Sequence, residues 1–90
     1  MAKKRSRIEI VYDMLSAIEK KRGEIKPTHL MYKANLSHSQ MNTYLEDLIN
    51  KSAIKRIKRK NNDYIIITDK GYQFMNKIRE MREFEETFGL

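Results

Sequence analysis

The stretch KPTHLMYKANLSHSQMNTYLEDLIN, residues 26–50, constrains the fold more than any other part of the chain. Within it Met41, Tyr44, Leu45, Leu48 and Ile49 recur at i, i+3, i+4, i+7 and i+8, the spacing of one helix face. Ser37 and Gln40 form the S-x-x-Q pattern of a capping box, which starts that helix at a defined residue. Upstream, Thr28 is a suitable N-cap, and Leu30, Met31 and Ala34 line the inner face of a shorter helix. Asn35 tolerates a left-handed backbone and can end it. Two helices about three residues apart, the second strongly capped, make the helix-turn-helix pattern.

The flanking segments complete one domain. A first helix starting near Ser6 carries Ile8, Val11, Met14, Leu15 and Ile18 inward and ends at Lys20-Lys21-Arg22-Gly23, with Gly23 at its C-cap. AIKRIK and DYIIIT are β-rich segments around Arg59-Lys60-Asn61-Asn62, which predicts a β-hairpin with a basic tip. From Thr68, a last helix carries Phe74, Met75, Ile78, Met81, Phe84 and Phe88. The expected divisions are a basic arm over residues 1–7, a winged helix-turn-helix over 8–72 and a C-terminal helix over 73–90. The fold class is mainly α with a small hairpin, in the order helix, helix, helix, hairpin, helix, the hairpin forming a wing beside the third helix.

The same residues resemble the archaeal winged-helix family of small transcription regulators and chromatin-associated DNA-binding dimers. The resemblance lies in the M-Y-K-A-N-L-S turn, the Y-L-x-x-L-I helix and the I-T-x-K-G-x-x-F entry to the last helix, and it covers almost the whole chain. It implies a winged-helix fold, double-stranded DNA as ligand and dimerisation through the C-terminal helix. The family commonly has a glycine after the third helix, where this chain reads Lys51-Ser52-Ala53-Ile54.

Charge points the same way. Among 90 residues, 19 Lys and Arg face 12 Asp and Glu, a formal charge of +7 that favours an anionic partner. The absence of Cys excludes disulfides, thiolate nucleophiles and cysteine-based zinc sites. No apolar run approaches a membrane span, and the start MAKKRSRIEIVYD lacks the apolar stretch of a signal peptide, so the expected location is cytoplasmic and nucleoid-associated. His29 and His38 sit on different helices without a carboxylate cluster, and no glycine-rich phosphate loop is present, so neither an enzyme, a metal, a cofactor nor a small-molecule ligand is expected.

In the third helix, Ser39 and Thr43 point away from the apolar face, with Gln40 and Asn42 on its flanks. These four have the donors and acceptors that major-groove base edges require. Glu46 and Asp47 follow a turn later and repel phosphates, so only the start of the helix can enter a groove. His38 fits either a DNA contact or a partly buried capping turn. Backbone contacts are expected from Lys55, Arg56, Lys58, Arg59 and Lys60 of the wing, from Lys3, Lys4, Arg5 and Arg7 of the arm, and from Tyr32 and Lys33. Tyr32 fits the rim of the core equally well, while Tyr44 belongs to the core. Met81, Phe84 and Phe88 lie beyond what so small a core can cover and are the dimerisation candidates, a frayed tail being the alternative. The function expected is a homodimeric regulator reading double-stranded DNA; an architectural DNA-binding protein with little base preference and a protein-docking winged helix are the alternatives.

Overall fold

The computed structural model describes residues 4–89. The elements run α1 (Arg7–Lys20), β1 (Glu24–Ile25), α2 (Pro27–Lys33), α3 (His38–Asn50), β2 (Ile54–Arg59), β3 (Asn62–Ile67) and α4 (Asp69–Phe88). This is the winged helix-turn-helix order expected from the sequence, with one addition. Glu24 and Ile25 pair with Ile66 and Ile65, so the hairpin becomes an antiparallel three-stranded sheet in the order β1-β3-β2.

Helices begin where local chemistry dictates. Ser6 and Glu9 form a reciprocal capping box on α1, and Ser37 and Gln40 form another on α3. The second helix departs from expectation: Lys26 is its N-cap and Pro27 its first residue, so Thr28 caps nothing. Proline at that position loses no hydrogen bond, because the first N–H groups of a helix have no intrahelical acceptor, and its fixed φ suits the helix.

The same device ends α1, α2 and α3. Gly23, Leu36 and Ala53 donate their N–H groups to the carbonyls of Ile18, Met31 and Leu48, at 3.0, 3.0 and 2.9 Å. The residue before each is left-handed: Arg22 at φ 61°, Asn35 at 55° and Ser52 at 62°. Gly23 is therefore not the C-cap; Lys21 takes that place, and Arg22 carries the left-handed turn. Ser52 occupies the left-handed position in the segment where the family commonly has a glycine. Lys60 and Asn61, at φ 51° and 66°, make the two-residue turn of the wing, both central residues being left-handed as in a type I′ turn.

Met14, Leu15, Ile18, Leu30, Leu48, Ile54, Ile65 and Met75 are fully buried where α1, α2, α3 and the base of the sheet meet α4. Each such side chain contributes roughly 1.5–3 kcal/mol of transfer free energy, and no polar side chain among the described residues is buried with them. Ile8, expected inward, is 48% exposed. It stands one turn outside the core on the flank of α1 that faces Met81 of α4.

The last helix is locked to the sheet by Thr68 and Gly71. The Thr68 hydroxyl accepts the Gly71 N–H at 3.1 Å and donates to the Ser52 carbonyl at 2.6 Å, while the Thr68 N–H reaches the Ala53 carbonyl at 3.1 Å. This is the physical content of the I-T-x-K-G pattern. Phe74, Met75 and Ile78 then pack inward, and the last turns, with Met81, Phe84 and Phe88, extend outward.

Candidate nucleic-acid interface

The site begins with the turn before α3. Asn35 and Ser37 bring α3 in sharply, and the Arg5 guanidinium holds this turn from outside, donating to the Asn35 carbonyl at 2.8 Å and to Asp13 at 2.8 Å. Arg7 performs the same service further along, bonding Asp47 at 3.0 Å with its guanidinium 5.9 Å from the Tyr44 ring centroid. Arg5 and Arg7 are thus part of the folded body rather than a loose basic arm. Lys4 is exposed, and Lys3 lies outside the described residues.

His38, Ser39, Gln40, Asn42 and Thr43 are all exposed, so the capping-turn alternative for His38 falls away. They are not equally available. The Gln40 carboxamide oxygen accepts the Ser37 N–H at 3.1 Å as the return half of the capping box. The Thr43 hydroxyl donates to the Ser39 carbonyl at 3.0 Å. Ser39, Asn42 and His38 present their side chains with no such partner among the described residues, and Gln40 retains its amide donors.

The acidic residues that follow divide in the same way. Hydrogen bonds from Lys51 and from Arg7 hold the Asp47 carboxyl below the usual range, and both neutralise its charge. Glu46 remains an exposed acid one turn past Asn42.

In the wing, the strand pleat sorts the cations. Ile54, Arg56 and Lys58 pair across from Ile67, Ile65 and Asp63 on the face that leads into the core, while Lys55, Ile57 and Arg59 pair across from Ile66, Tyr64 and Asn62 on the outer face. Arg56 and Lys58 therefore project from the side against which α3 packs. Lys58 lies 4.0 Å from Asp63, a loose pair. Arg59 is committed elsewhere: it forms a two-pronged pair with Glu24 of β1 at 2.8 and 2.9 Å, which raises its pKa, and stacks 5.5 Å from the Tyr64 ring centroid. Lys55, Arg56 and Lys60 have no acidic partner among the described residues. β1 and its Glu24 were invisible to sequence reasoning, because a two-residue strand has no periodicity.

On α2, Tyr32 is 74% exposed and is not a rim residue of the core. Lys33 turns instead towards α1, where it lines a hollow with Ser16, Lys20 and Lys21. Tyr44 packs on the core as expected.

Comparison with known proteins agrees with the fold. The family model for winged helix-turn-helix proteins matches residues 4–86. The chain belongs to that family. Two uncharacterized proteins of Methanocaldococcus jannaschii are similar to it, one 33% identical over 87% of this chain and 34% of its own length, the other 32% identical over 89% of this chain and 76% of its own. The chain thus spans about a third of the first relative and three quarters of the second. Among solved structures, Sso10a-2, a DNA-binding protein from Sulfolobus solfataricus, superposes with a TM-score of 0.80 at 24% identity, covering 93% of this chain and 85% of that one. A winged-helix DNA-binding protein from STIV gives 0.75 at 16% identity, covering 91% and 92%. The transcriptional regulator BldR, also from Sulfolobus solfataricus, gives 0.73 at 19%, covering 89% and 60%.

Proposed function

We propose that this winged helix-turn-helix chain is a homodimeric regulator of transcription that binds double-stranded DNA, placing the start of α3 in the major groove and the wing on the flanking phosphates. The observation that carries the proposal is the pairing of an exposed, uncharged, capped helix start with the unpartnered Lys55, Arg56 and Lys60. His38, Ser39 and Asn42 are assigned to base edges with the Gln40 amide, and Thr43 contributes its methyl group. Lys58 adds to the phosphate contacts, while Arg59 stiffens the wing through Glu24. The DNA-binding descriptions of the Sulfolobus and STIV proteins support the same reading.

Dimerisation is assigned to the outer part of α4. Met81, Phe84 and Phe88 are 50%, 54% and 65% exposed, the two phenyl rings lie 4.7 Å apart, and Ile8 continues the apolar surface beside Met81. Exposed apolar side chains grouped in this way mark an interaction surface. Phe84→Glu should turn a dimer into a monomer in sedimentation equilibrium while leaving the far-UV spectrum unchanged.

One observation favours a second reading, an architectural protein with little base preference. Two of the four expected reading side chains, Gln40 and Thr43, already make hydrogen bonds within α3. Selection from a random duplex library at physiological salt decides between the two. An enriched motif supports the regulator, binding without enrichment supports the architectural protein, and no binding refutes both.

A further inference from the structure

Around the end of α1 and along α2, Lys20, Lys21, Arg22, Lys26 and Lys33 have no ion-pair partner among the described residues. The sequence accounts for the first three only as favourable charges at the end of α1. The structure arranges them differently. Lys20 at the end of α1, its C-cap Lys21 and Lys33 of α2 surround an open hollow of about 420 Å³ floored by Ser16 and Ala17. Lys21 also borders a second hollow, about 280 Å³, together with Lys26, His29 and Tyr64. One acid lines each hollow, Asp13 the first and Glu24 the second, and each is engaged by an arginine, Asp13 by Arg5 and Glu24 by Arg59. What results is a cationic strip along α2 whose charge is not neutralised by the protein.

We infer that this strip is a further phosphate-binding surface, seating duplex DNA that flanks the segment held by α3 and the wing. The inference rests on the proposed DNA-binding function and extends it. Two features select a polyanion rather than a compact anion. The strip is long, running from Lys26 at one end of the seven-residue α2 to Lys33 at the other, which at 1.5 Å per residue is about 10 Å, roughly three base-pair steps. It is also continuous with the wing: Tyr64, which borders the second hollow, is the ring against which Arg59 stacks on the outer face of the sheet. A duplex lying on the wing therefore has a charged path to follow beyond it. Lysine suits this role, since its flexible point charge meets phosphates without demanding a fixed geometry.

Two measurements test the inference. The first is lysine acetylation of the wild-type chain, read by mass spectrometry with and without a saturating duplex of about 30 base pairs. Protection of Lys20, Lys21 and Lys33 alongside Lys55 and Lys60 is the expected result. Protection confined to Lys55 and Lys60 overturns this inference and leaves the parent reading standing, whereas no protection anywhere overturns both. The second is the salt dependence of binding to the same duplex by the triple variant Lys20→Gln, Lys21→Gln, Lys33→Gln. These side chains are exposed, and a thermal melt confirms that the variant folds. The slope of log K against log salt should fall by about 2 to 3, at about 0.9 per phosphate released, with roughly 100- to 1000-fold weaker binding at 0.1 M salt if the two proteins bind equally at 1 M. A slope equal to that of the wild type overturns the inference.

Discussion

Replacing Gly71 with alanine sets two physical effects against each other. Helix propensity favours the substitution by about 1 kcal/mol, since Gly71 lies within α4 and alanine is the best helix former. Packing opposes it. A methyl group on Gly71 would stand 2.6 Å from Cγ1 of Ile67 and closer still to the Ala53 carbonyl oxygen, where ordinary contact begins near 3.4 Å. The isoleucine side chain is buried and the carbonyl is backbone already accepting the Thr68 N–H at 3.1 Å. Neither can withdraw without moving α4 off the sheet. Overpacking of a tight site costs about 1–3 kcal/mol, and two rigid neighbours place this one at the upper end or beyond. The net effect should be a loss of about 2 kcal/mol. For a domain of this size each kcal/mol lowers Tm by about 4–8 °C, so a fall of roughly 10 °C is expected in a circular-dichroism melt. A Gly71→Ala variant with an unchanged or raised Tm would falsify the claim that close approach, rather than helix formation, dictates glycine here.

Three further outcomes follow from the geometry. Ser52→Gly should stabilise the domain by about 1 kcal/mol in urea unfolding, because glycine reaches φ 62° without the steric penalty serine bears there. Arg56→Ala should reduce the salt slope of DNA binding by about 1 while Arg59→Ala leaves it nearly unchanged and instead increases hydrogen exchange in the wing; equal slope changes would sink the distinction between the two arginines. Asp47 has a folded-state pKa below its unfolded value of 3.8, so its contribution to stability is present above that value and disappears as pH falls through the folded value. Asp47→Asn should accordingly flatten the acid limb of the stability curve below pH 4, and an unaltered limb would show that the Lys51 and Arg7 bonds do not hold in solution.

The helix-turn-helix was legible because its signals are local. Ser37 and Gln40 are three residues apart, Asn35 sits one residue beyond the C-cap of α2, and the apolar stripe of α3 repeats within a few turns. The wing was legible for the same reason, as two β-rich segments around a polar tip. The departures were cases in which a distant partner or a local rival decided. Thr28 lost the start of α2 to Pro27, a better first helical residue. Glu24 and Ile25 form a strand only because β3 lies alongside, and Ile8 is exposed because the core ends one turn short of it. The charged residues were the least legible. Arg5, Arg7 and Arg59 look alike in the sequence to Lys55 and Lys60, yet their acids lie 8, 40 and 35 positions away along the chain. Composition shows how many cations there are; only the fold shows which are occupied.

Thr68 has a consequence for any two-copy assembly built through α4. One hydroxyl ties the first turn of that helix to the Ser52 carbonyl, immediately past the end of α3, with no flexible stretch between them. The start of α4 is thereby fixed to the end of α3, so the outer arm and α3 form two ends of one bracket. Were two such arms to meet as proposed, the distance and angle between the paired α3 helices would be set by the bracket rather than by the DNA, and the assembly would act as a fixed-gauge caliper. Target sites spaced by even one base pair more or less would have to twist to fit, and the tolerance of the protein for such spacing becomes a readout of how stiff the joint at residue 68 is.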